Sequence, residues 1–146
     1  MSDFVKRFFI YASPSMTLPA NSGIVDIAVQ TNLDAPFVLR ARAMRQKFQP
    51  SGGATLSNVL VSVADADEKF IQNDLCPFAL ESTYDGQTAG FGQWPNGVYN
   101  PTAIVYPAGG TIWAKVQNTD THSALAFQLF FIGYQLFRCG QVPDLT

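Results

Sequence analysis

Charged residues are scarce in this chain: Asp, Glu, Lys and Arg make up 14% of 146 residues, where a globular domain has about a quarter. Set beside 47% hydrophobic residues, that scarcity excludes an intrinsically disordered chain, which needs low hydrophobicity and high charge. A basic excess is missing too. Nine Lys+Arg against eleven Asp+Glu leave a formal net charge of −2, which argues against a general nucleic-acid binder. Histidine is limited to His122 and cysteine to Cys76 and Cys139. These are too few and too widely spaced for a zinc site. The two cysteines make no disulfide framework and are expected to be free thiols.

Long apolar runs are also lacking. Phe8-Phe9-Ile10-Tyr11-Ala12 follows Lys6-Arg7 but is cut off by Ser13-Pro14-Ser15, short of a signal-peptide core of about 7–15 residues. Ala124 to Phe137 is broken by Gln128, Gly133 and Gln135 and falls short of the ~20 residues that cross a bilayer. The expectation is one soluble domain made in a cytoplasm, with no membrane partner. At this length roughly 68–70% of the unfolded surface can be buried without a disulfide or metal staple.

Catalytic patterns are equally thin. His122 lies in a polar turn between Thr121 and Ser123, and no nucleophile-elbow motif accompanies it. Asp65, Asp67 and Glu68 suggest calcium only superficially: the sixth residue from Asp65 is Phe70 and no acid stands at the twelfth. Gly52-Gly53 and Gly109-Gly110 lack the lysine and helix of a phosphate loop. No catalytic residue, metal or cofactor is expected, and the chain reads as a non-enzyme.

What the chain does have is period-two alternation punctuated by turn residues. Ile24–Thr31 is rich in β-branched residues. Phe37–Arg45 puts Phe37, Leu39, Ala41 and Ala43 on one face and Arg40 and Arg42 on the other, as in a half-buried strand. Val59, Val61 and Val63 alternate next. Asp65-Ala66-Asp67-Glu68 then reads as a hairpin turn, although Asp65 and Glu68 also stand at capping-box spacing for a short helix. Residues 81–101 form a long loop. Alternation returns at Thr102–Tyr106, after a Pro107-Ala108-Gly109-Gly110 turn at Thr111–Gln117, and again at Leu125–Phe137, where Gly133 marks a bulge or bend. Seven to nine short strands without a convincing helix predict an all-β protein. The best fit is a jelly-roll β-sandwich of about eight strands over residues 21–137. Residues 1–20 form an N-terminal arm or edge strand, and residues 138–146 a C-terminal tail.

Two features invite a partner. Arg40, Arg42, Arg45 and Lys47 place four of the nine basic residues within eight positions, suiting an acidic partner surface or phosphate if they are not simply a solvated face. Tyr84, Phe91, Trp94 and Tyr99 lie on the 81–101 loop, where they either tuck under the sheets, anchor a partner, or stack on sugar rings.

The segments Asp34-Ala35-Pro36-Phe37-Val38-Leu39-Arg40, Asp67-Glu68-Lys69-Phe70-Ile71-Gln72-Asn73-Asp74, Val105-Tyr106-Pro107-Ala108-Gly109-Gly110-Thr111-Ile112 and Phe131-Ile132-Gly133-Tyr134-Gln135-Leu136-Phe137 occur in this order. Together they resemble the jelly-roll cement or decoration proteins on the heads of tailed bacteriophages. The resemblance spans about residues 24–137 and rests on strand order and turn composition. It implies a non-enzymatic virion protein on the capsid exterior that bridges major capsid protein subunits as a dimer or trimer. It carries over no catalytic residue. The alternative is a carbohydrate- or receptor-binding β-sandwich of a phage tail or surface.

Overall fold

A computed structural model describes residues 4–49, 59–67, 69, 76, 77 and 98–138. The described residues form strands and turns, with no helix among them. In chain order the strands are β1 (Phe4–Ala12), β2 (Met16–Leu18), β3 (Val25–Gln30), β4 (Phe37–Gln49), β5 (Val59–Val63), β6 (Cys76–Pro77), β7 (Val98–Tyr106), β8 (Thr111–Asn118) and β9 (Ala124–Arg138). The fold is all-β, as the alternation predicts. All strand pairs are antiparallel and fall into two sheets. One runs β1-β9-β4-β7, with β2 also on β9; the other runs β3-β8-β5-β6.

The alternation becomes burial wherever one face meets the other sheet. Ile112, Ala114 and Val116 of β8 join Ile27 and Val29 of β3 and the three valines of β5. Opposite them stand Phe37, Leu39 and Met44 of β4, Tyr106 of β7, and Leu125, Phe127, Leu129 and Phe131 of β9. These side chains form one core cluster shared by both sheets. Tyr106 also ties the layers with a polar bond: its hydroxyl donates to the Ala64 carbonyl at 2.6 Å. Burial pushes that phenol's pKa well above its ordinary value; the negative charge of Asp65 adds to the rise and Arg42 opposes it.

Four of the connections that cross from sheet to sheet run side by side in two pairs. The β3–β4 and β7–β8 connections are joined by the Thr31 amide donating to the Gly110 carbonyl and the Gly109 amide donating to the Asn32 carbonyl. The predicted Pro107–Gly110 turn is present, closed by the Gly110 amide on the Pro107 carbonyl at 3.0 Å. Gly109 takes φ +70° at its third position, where a residue with a Cβ is strained. At the other crossing, Asn118 joins the β2–β3 and β8–β9 connections. Its buried amide donates to the Pro19 and Ser123 carbonyls at 3.1 and 2.9 Å and accepts from the Asp120 amide.

Strand β4 departs from the expected pattern. Leu39 pairs with Gly133 and the next pair is Ala41 with Ile132, so Arg40 is the extra residue of a β-bulge. A bulge reverses the parity of everything after it. Phe37 and Leu39 face the core before it; Arg42, opposite Phe131, and Met44, opposite Leu129, face the core after it. Ala41 and Ala43 therefore move to the outer face, and the expectation that they share a face with Phe37 and Leu39 is overturned. Gly133 is the counterpart of this bulge: a Cβ built on it would lie 1.8 Å from the Val38 carbonyl oxygen. Gly133→Ala should lower folding stability by about 3 kcal/mol, because a backbone carbonyl must move. Gly23→Ala, with nothing within 4 Å of the new methyl, should stay within about 0.5 kcal/mol of wild type in the same urea titration.

Candidate docking face

The sequence-predicted basic cluster is split by the bulge. Arg40 is exposed and Arg45 is exposed further along β4, while Arg42 is only 6% exposed on the core side. Arg40 and Arg42 thus share no face, contrary to the alternation taken alone. Lys47 holds the register position opposite Ala126. Tyr99 belongs to strand β7, opposite Ala41, and not to a loop. Tyr84, Phe91 and Trp94, the other aromatic residues on which the sugar-stacking alternative rests, lie outside the described residues.

A different surface emerges on the outer side of the β1-β9-β4-β7 sheet. Strand β9 is apolar on both sides: its odd-numbered positions are buried in the core, and Phe130, Ile132, Tyr134 and Leu136 alternate with them, half-buried. The register extends this face into its neighbours. Phe8 pairs with Tyr134, Tyr134 with Val38, and Val38 with Val105, giving an apolar row across four strands. Ile10, Ile132 and Ala41 form the next row. Exposure is uneven along the face. Val38, Ala41 and Ala43 are buried, whereas Phe8 is 67% and Val105 53% exposed. Lys6 lies over the Tyr134 ring, with its Nζ 4.9 Å from the centroid, so a cation borders the apolar surface.

Sequence reasoning found one face of β9 and missed the other. The signal was Phe130-Phe131-Ile132: consecutive large apolar residues break strict alternation and mark a strand that needs cover on both sides. This outer face is therefore the candidate docking surface.

The titratable groups elsewhere serve their own turns. Asp65 Oδ1 accepts the Asp67 and Lys69 amides at 2.9 and 3.0 Å, so its carboxylate shapes a turn where the capping-box reading placed a helix start. His122 is exposed, and the Asp120 carboxylate accepts its backbone amide and that of Ser123. Those two amides, His122 first, hold the Asp120 carboxyl below its ordinary pKa of 3.8. A shallow depression lined by Gln30, Thr31, Asn32, Leu33 and Asp34 carries a single carboxylate and no nucleophile–base pair. No group of three or more metal-ligating side chains occurs among the described residues. No family model, curated protein or solved structure matches this sequence.

Two outcomes test these placements. Arg42→Glu reverses a charge on the core side and should destabilise the fold by about 3–5 kcal/mol, whereas Arg45→Glu should change unfolding midpoints little. The Asp120 carboxyl, lowered in the folded state, stabilises the turn above its unfolded pKa and loses that effect as pH falls through the lower folded value. Asp120→Ala should therefore be less stable than wild type at neutral pH, with the gap narrowing as pH falls below the ordinary carboxylate range, read from unfolding midpoints across an acid series.

Proposed function

We propose that this chain is a non-enzymatic capsid cement protein, a jelly-roll domain that binds the exterior of a phage head and bridges major capsid protein subunits, acting as a dimer or trimer. The jelly-roll reading is supported by nested pairing: the N-terminal strands β1 and β2 with β9, β3 with β8, β4 with β7, and β5 with β6. That is the order produced when a long antiparallel ribbon is rolled into two Greek-key-connected sheets.

The observation that carries the functional reading is the apolar row of Phe8, Tyr134, Val38 and Val105 across four strands, open to solvent at Phe8 and Val105. An apolar sheet face suits a docking surface better than a substrate cleft, since small-ligand sites are enclosed pockets with a few placed polar groups. Cement works by adding buried area between shell subunits, and modest contacts repeated many times over a shell are sufficient. The purified chain should co-sediment with expanded shells of the major capsid protein from the same virus and raise their thermal disruption temperature. Shells whose melting is unchanged at saturating protein would overturn the proposal.

A further inference from the structure

The charges of this chain are sorted by sheet. Of the nine basic residues, Lys6 and Arg7 lie on β1, four lie on β4, and Arg138 ends β9. Only Lys69 and Lys115 lie elsewhere. Among the described residues, no acid falls on any strand of the β1-β9-β4-β7 sheet, counting β2; Asp26 lies on β3, and Asp34, Asp65, Asp67 and Asp120 are outside the strands. A protein with a net charge of −2 thus carries one sheet whose described residues include cations and no carboxylates. On its outer side Lys6 stacks on Tyr134, Arg45 is exposed opposite Gln128, and Arg138 is exposed opposite Phe4.

We infer that the outer face of this sheet is the surface that seats on the shell, and that the capsid surface opposite it is apolar at its centre and carries carboxylates around that centre. The inference rests on the cement reading and specifies its contact. Apolar rows supply the area; four strands about 4.8 Å apart and nine residues long at about 3.4 Å cover on the order of 600 Å² in projection. That approaches the ~800 Å² each partner contributes to a specific interface. The cations supply register and partner choice, because complementary charge suppresses wrong partners. A second copy is the wrong occupant: a two-fold contact through this face would set the same basic patch against itself with no acid among the described residues of either sheet. An anionic membrane fits less well, since the cations are dispersed where membrane attraction relies on clusters of about 4–8, and the chain as a whole is acidic.

Shell binding by the full chain should be compared for wild type, Phe8→Asp, Lys6→Glu with Arg45→Glu, and Leu33→Asp as a control in the β3–β4 connection. Folding is checked by circular dichroism. Phe8→Asp should weaken binding at least about tenfold, and the double charge reversal by a similar factor. Leu33→Asp should bind as wild type, and wild-type affinity should fall with added salt. If wild type binds shells and both face variants bind equally well, the face assignment is wrong while the cement reading stands. If wild type does not bind, the cement reading fails and this contact with it. A wild-type dimer that Phe8→Asp converts to monomer in sedimentation velocity, or phosphatidylserine vesicles that bind wild type but not Phe8→Asp, would replace the capsid partner and overturn the inference.

Discussion

Strand β9 is hydrogen-bonded along both edges, to β1 and β2 on one side and to β4 on the other, and the other pairings nest inside the one it makes with the N-terminal strands. Its fifteen residues supply a core face to one layer and an outer face to the surface. Everything else follows from that placement. The paired crossings at Thr31–Gly110 and Ser22–Asn118 continue the same antiparallel ribbon around the corners, so backbone groups at the turns find partners instead of being left dry. Because the N-terminal strands pair with the last one, native contacts are far apart in sequence, a topology that folds slowly.

The bulge at Arg40 and the glycine at position 133 are one structural device. The extra residue lets the backbone around Val38 press against β9, and only a residue without a side chain tolerates that approach. Its cost is a guanidinium on the core side, held near Tyr106 and Asp65. Its benefit is that Ala41 and Ala43 come to lie beside Ile132 and Phe130 on the outer face. Small residues there leave the larger aromatic and aliphatic groups of β9 and β1 to shape the exposed surface.

That surface, and not a cleft, dominates the chemistry on offer. Asp65 and Asp120 are engaged in their own turns. Gln135 is fully buried; its amide donates toward the Tyr11 hydroxyl at 3.3 Å while Oε1 has no partner among the described residues, a cost of about 1–3 kcal/mol. The Tyr11 hydroxyl in turn accepts the Asn32 amide at 2.8 Å. These polar groups sit inside and tie strands together, while the open face is apolar with a basic border.

Strands β8 and β9 and the Pro107–Gly110 turn were legible in the amino-acid order, because side-chain alternation and the left-handed conformation at Gly109 are properties of a few consecutive residues. Gly133 was legible as a disturbance but not as a parity switch. The fate of Arg42, the strand position of Tyr99 and the outer face of β9 were hidden for one reason. Each depends on register between segments distant in the chain, and one inserted residue on β4 reassigns every side chain beyond it. The sequence by itself determined an all-β chain with its turns, since local periodicity and turn chemistry suffice for that. Only the tertiary structure decided which strands pair and which side of each meets water, because hydrogen-bond register is set between strands and not within them.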